Sequence, residues 1–208
     1  AAAEVGLPEV AAAASFETAA LYQDFGQALL KSQRPRRLDR AALEQYEVLL
    51  EEQAFPFEEK AIGLYQALAL RVQAGVYDDW VQRSLERLAV LDPARWARPE
   101  RGDPALPADA PALEARLREA PAAQRAALLN QLGIAERRAG HFDAARRAYE
   151  GAIAADPQAA APAVNLGILD DVYLGQPAQA LALYRHAAEL QPDARLGAWI
   201  TELEHRKP

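Results

Sequence analysis

LGIAERRAGHFDAARRAYEGAIAADP, residues 132–157, and LGILDDVYLGQPAQALALYRHAAELQP, residues 166–192, are two versions of one pattern. Leu132-Gly133, Gly140, Ala145, Tyr149, Ala152 and Asp156-Pro157 answer to Leu166-Gly167, Gly175, Ala180, Tyr184, Ala187 and Gln191-Pro192, with a period of 34 residues at the first pair and 35 after it. Each stretch reads as two helices joined by a short turn at glycine and stopped at proline. Gly133, Gly167, Ala145 and Ala180 are small where the two helices of a hairpin cross, and larger residues there would force the helices apart. Tyr149 and Tyr184 fill the space between repeats. The extra residue between Gly167 and Gly175 is expected as a bulge in the first helix in preference to a longer turn.

Outward from this pair, the chain alternates amphipathic segments with breakers. Residues 122–194 hold the two well-formed hairpins, and residues 195–208 a last helix with Leu196, Trp199, Ile200 and Leu203 on one face, which reads as a solvating cap. Residues 95–121 combine a loop rich in Pro, Gly and charge (95–109) with a short helix that Asp109 can cap and that ends before Pro121. This loop is read as a connector between an N-terminal and a C-terminal half. Residues 16–94 are expected to form two further hairpins: one that ends near Pro56, and one from about Glu58 that breaks at Gly75, resumes at Asp78 and stops at Asp92-Pro93. Residues 1–15, with Gly6 and Pro8 and no sustained period, read as a leader or tether ordered only in part.

Composition agrees with an all-α chain. Ala, Leu, Glu, Arg and Gln dominate, and these lose little on entering a helix. A formal charge of −7 supplies no excess of cations to neutralise phosphates, which argues against nucleic acid as a partner. No run approaches the roughly 20 apolar residues of a membrane span. Cys is absent, so there is neither a disulfide nor a thiolate metal ligand, and the compartment stays open. The basic cluster Arg34, Arg36, Arg37 and Arg40 precedes an acidic helix, and pairing within the chain is its expected use.

The spaced Leu-Gly, Ala, Tyr and Pro residues resemble the tetratricopeptide repeat, a helical hairpin of ~34 residues. Residues 62–95 give a looser match through Tyr65, Leu68-Ala69, Val72, Leu85, Leu88 and Pro93, with Val81 in the place of a small residue; residues 16–56 keep only the layout. The resemblance implies an α-solenoid of antiparallel helical hairpins, wound as a right-handed superhelix and closed by a capping helix. It also implies a concave groove, lined by the first helix of each repeat, that grips an extended peptide or a partner helix. Asn165 stands where the family's backbone-gripping Asn stands. Asn130 is displaced by one residue, which leaves Gln131 in the matching place.

An amide offers the donor and the acceptor that a peptide backbone lacks. The plainer reading of these amides is solvated or locally bonded. Ile134 and Ile168 fall on the same helices, and Arg137 and Arg138, a turn beyond Ile134, are candidates for clamping an acidic segment, with a solvated helix face as their plainer reading. Asp170 and Asp171 stand at the corresponding places of the last repeat, which argues against a carboxylate clamp and for selection of a basic ligand. The candidate peptide-binding set is thus Asn130, Gln131, Ile134, Arg137, Arg138, Asn165, Ile168 and Asp171.

An enzyme is not expected. His141, His186 and His205 lie far apart without metal-ligand spacing, hydroxyls are few, and no glycine-rich phosphate loop occurs, so no catalytic residue, metal or cofactor is assigned. The expected function is an adaptor for a protein or peptide. The alternative is a structural subunit of an oligomer that uses the cap and the loop around Trp96, with Trp80, Trp96 and Trp199 open to either core or interface. An Ala-rich start without Met reads as a processed bacterial envelope or periplasmic protein, a lipoprotein tethered upstream, with the cytoplasm as the alternative.

Overall fold

The computed structural model describes residues 7–206; all regular structure among them is helical, with no strand. The chain divides into two compact units, residues 1–91 and 92–208. Among the described residues, no helix is long and apolar enough to cross a membrane.

The first unit consists of α1 (Leu7–Leu30), α2 (Arg40–Ala69) and α3 (Asp79–Leu91). On α1 the buried positions Ala12, Phe16, Ala19 and Gln23 recur at helical spacing. Phe16 lies 5.2 Å from the ring of Tyr65 on α2 and 5.5 Å from Trp80 on α3, and the Tyr65 hydroxyl donates to Gln23 Oε1 at 3.3 Å. The tether expected over residues 1–15 is corrected where it can be seen. Residues 7–15 are helical because Pro8 stands at the start of the helix, where a missing N–H costs little, and the alanines after it are strong helix formers. Residues 1–6 lie outside the described residues.

A second correction concerns Pro56. The sequence places a helix end there, but α2 runs through it, so the two expected hairpins share one long helix. Pro56 is exposed while Ala54 beside it is buried, so the carbonyl left without a donor faces water and packing on the opposite side holds the helix together. After α2 a 3-10 turn, Leu70–Ala74, ends at Gly75 with φ of 79°. Asp78 then caps α3 by accepting from the Val81 N–H at 3.0 Å.

The second unit contains α4 (Pro93–Trp96), an irregular stretch over 97–109, α5 (Ala110–Glu119), α6 (Ala122–Arg138), α7 (Phe142–Ala155), α8 (Ala160–Ile168), α9 (Pro177–Leu190) and α10 (Ala194–His205). Asp109 caps α5, accepting from the Ala112 N–H at 2.9 Å. The helices α6 and α7 form one hairpin and α8 and α9 the next, and each hairpin is closed by the same device. Gly167 has no room for a side chain, since a Cβ would lie 2.5 Å from Cε1 of the fully buried Tyr184; Gly133 stands in the same relation to Tyr149. Tyr149 also packs with Leu166 and Leu169 of the following hairpin, and so joins the two.

The extra residue of the second hairpin is taken up as a π turn over Leu169–Tyr173, with the Leu174 N–H donating to the Leu169 carbonyl at 3.0 Å. On α10, Leu196, Trp199 and Leu203 are buried against α8 and α9, with Trp199 5.5 Å from Tyr184. Trp199 is therefore core and not an outward surface, whereas Trp80 and Trp96 are half-buried. Arg34 pairs with Glu47 at 3.5 Å and Arg40 with Glu44 at 3.0 Å, the pairing within the chain expected of the basic cluster.

Candidate functional site

On α6 the residues Asn130, Gln131, Ile134, Arg137 and Arg138 follow one another at positions i, i+1, i+4, i+7 and i+8, which a helix of 3.6 residues per turn brings to one face. That face is not open. The stretch 98–103, Arg-Pro-Glu-Arg-Gly-Asp, lies along it, and the loop expected to connect two halves is a built-in part of the second unit.

The contact begins with the backbone of Arg101. Its N–H donates to Asn165 Oδ1 at 2.8 Å, and its carbonyl accepts from Asn165 Nδ2 at 2.8 Å and from Asn130 Nδ2 at 2.7 Å. Asn165 Nδ2 also donates to Asn130 Oδ1 at 2.8 Å, so the two amides orient each other. Two residues on, the Asp103 N–H donates to Gln131 Oε1 at 3.2 Å. These amides are therefore neither solvated nor locally bonded: their peptide partner is 28 to 64 residues away in sequence. Both polar groups of Arg101 are satisfied as they would be by a neighbouring strand, but by side chains.

Around this grip the charges alternate. Arg98, 7 % exposed, pairs with Asp171 at 3.4 Å and with Glu202 at 2.7 Å, and its guanidinium lies 4.8 Å above the ring of Trp199. Glu100 is held by Arg138 at 2.7 Å and by Arg137. Arg101 reaches Asp193 at 2.5 Å. Gly102 passes so close to α6 that a Cβ would lie 2.8 Å from Gln131 Oε1 and 2.9 Å from Ile134 Cδ1.

Arg137 is buried, donates to the Tyr173 hydroxyl and stacks 5.0 Å from that ring, which overturns its reading as a solvated helix face; Arg138 stays half in solvent. Ile168 also needs correction. It lies in the cluster formed by α8, α9 and α10 because the last helix covers its side of α8. Ile134 is buried but borders the segment through its Cδ1 atom.

The π turn sends the two aspartates to different partners. Asp170 meets Arg146 at 2.5 Å, while Asp171 meets Arg98 and, at 2.6 Å, Arg206. Burial pushes the Asp170 carboxyl up, and the Arg146 charge and hydrogen bond offset this only in part. Burial would raise Glu202 too, but the hydrogen bond from Arg206 and the charges of Arg206, Arg98 and Arg95 prevail and hold it below its ordinary value. Desolvation pushes the Tyr149 and Tyr184 phenols up, so both stay protonated near neutrality. Among the described residues no three His, Cys, Asp or Glu side chains gather as a metal site.

Sequence reasoning missed Arg98, Glu100, Arg101, Gly102 and Asp103 as members of this site, along with Asp193, Glu202 and Arg206. Proximity to proline and glycine marked 98–103 as a loop, and nothing local distinguishes a loop that swings free from one laid along a helix. A signal was present in the order of charges, plus-minus-plus over Arg98, Glu100 and Arg101, which mirrors Asp171, Arg137 with Arg138, and Asp193. Comparison of the chain with protein-family models, with curated proteins and with solved structures finds no match.

Proposed function

We propose that this chain is an interaction adaptor of tetratricopeptide type, an α-solenoid of helical hairpins whose second unit offers a groove for an extended peptide. The observation that carries the reading is the grip on Arg101: two asparagines on successive hairpins satisfy both backbone groups of one residue without regard to its side chain. Backbone capture of this kind lets a site hold many sequences, and flanking charges then choose among them. The repeated Gly–Tyr closures of the two hairpins and the covering helix α10 support the solenoid arrangement. In this reading the chain's own residues 98–103 occupy the groove until a partner replaces them. The module binds; it does not catalyse.

An array of nine-residue peptides probed with the intact chain and with an Asn130→Ala, Asn165→Ala variant tests this. The reading expects a restricted set of peptides retained by the intact chain and released by the variant. Retention of the same set by both chains would reject the groove.

A second reading treats 98–103 as permanent filling and moves association to the first unit, where Leu21, Phe25, Leu49 and Phe55 on α1 and α2 are each at least half exposed. Sedimentation at rising concentration separates the two: growth of mass that Phe25→Asp abolishes favours the second.

A further inference from the structure

Resting on the groove reading above, we infer that segment 98–103 is a built-in pseudo-ligand, and that the partner replacing it carries an extended stretch of the pattern basic, any, acidic, basic, glycine.

Each position of that pattern is set by a receiver on the helices. The first residue enters a site where Asp171 and Glu202 supply negative charge and the face of Trp199 lies 4.8 Å beneath the guanidinium, a combination suited to arginine above lysine. Pro99, in the second place, is exposed, and no hydrogen bond or ion pair ties its side chain to the helices, so this position is free. The third meets two guanidinium groups, Arg137 and Arg138, which select a carboxylate. The fourth has both backbone groups gripped by amides while its side chain reaches Asp193. The fifth must be glycine on grounds of space: Gln131 Oε1 is already engaged with the Asp103 N–H and Ile134 is fully packed, so a side chain there displaces one or the other.

A complementary row of three charged receivers, two amide clamps and one close approach is more specification than covering a helix face needs. A tethered segment competes at an effective concentration on the order of millimolar, so the resting chain rejects weak ligands and opens only to one that meets the same receivers better or at more points.

The test uses two fluorescent peptides, RPERGDPAL, the chain's own residues 98–106, and EPREGDPAL, in which the charges at the first, third and fourth positions are reversed. They are titrated against the intact chain and against a Glu100→Ala, Gly102→Leu variant, in which the internal segment is weakened and every groove residue is kept. The variant should bind RPERGDPAL about tenfold more tightly than the intact chain does, and about tenfold more tightly than it binds the reversed peptide. Equal binding of both peptides by the variant would overturn the charge pattern and leave the groove standing. Binding of neither by a variant with intact helical circular dichroism would remove the groove reading and this inference with it. Equal affinity of intact chain and variant would overturn the competitor role. An intact chain that sediments as a dimer and dissociates on adding RPERGDPAL would assign the groove to a second copy and overturn a foreign partner. Should the double variant lose its helical signal, Glu100→Ala alone serves for the same titrations.

Discussion

The two units solve the same problem with different materials. In the second unit, each hairpin is closed by glycine against a buried tyrosine ring, charges are buried in matched sets, and a stretch without regular structure is held by side chains chosen for backbone. In the first, the long helix α2 carries an exposed glycine and an exposed proline, its ion pairs lie in solvent, and large apolar residues such as Leu21 and Phe55 face outward. Among the described residues all regular structure in both units is helical, so the type of secondary structure does not separate them. What separates them is how far each position is over-determined by its neighbours, and substitutions should reveal this as a difference in sign or size between like changes.

The largest contrast concerns charge. Asp171→Ala would leave Arg98 and Arg206 short of a partner in a site whose aspartate side chain is 1 % exposed, and a loss of about 3 kcal/mol is expected from breaking a buried pair. Glu44→Ala in the first unit removes the partner of an almost fully exposed Arg40, and should cost no more than about 0.5 kcal/mol. Urea titration of both variants measures the difference, and similar midpoints would break the comparison.

Next comes glycine. Gly167→Ala would drive a methyl into the Tyr184 ring, with an expected loss of about 2 kcal/mol, whereas Gly63→Ala on α2 meets nothing within 4 Å and should gain about 0.5 to 1 kcal/mol from helix propensity. Opposite shifts in thermal midpoint are the expected outcome.

The smallest effect is tied to pH. Because the folded Glu202 carboxyl titrates below its ordinary value, its ionised form stabilises the second unit above that range, and the contribution is lost as the pH falls through the lowered value. Stability measured by urea at successive pH values should therefore fall less steeply in Glu202→Gln than in the unaltered chain as the pH drops below the ordinary glutamate range. Asp170 works in the opposite sense, since its raised carboxyl favours the protonated folded form, so the two must be separated by substitution.

Much of the second unit was legible because its residues do one thing only. Gly133, Gly167, Tyr149 and Tyr184 announce a close crossing by their size, and Asp109 announces a cap by its place before a helical run. The extra residue before Gly175 announced a bulge, which is present as a π turn. The first unit was less legible because Pro56 forbids a helix interior only where the freed carbonyl has no water, and burial on one side of α2 is invisible in local sequence. Within the candidate site, Asn130, Gln131 and Asn165 were singled out only through the family resemblance, and the structure sets all three against the backbone of Arg101 and Asp103. Ile168 could not be told from Ile134, because only the presence of α10 decides which of them is covered. Segment 98–103 left only its order of charges as a trace, because side chain to backbone hydrogen bonds across 64 residues have no periodic signature.

The central claim is that side chains on α6 and α8 hold a piece of backbone as a ligand would be held. Amide hydrogen exchange at Arg101, followed by NMR in the intact chain and in Asn165→Ala, tests it most directly. The Arg101 N–H should be protected in the intact chain by about two orders of magnitude relative to an open loop, and the protection should vanish in Asn165→Ala while the amides of α7 and α9 keep theirs. An Arg101 amide that exchanges at the rate of an unstructured peptide in the intact chain would contradict the account.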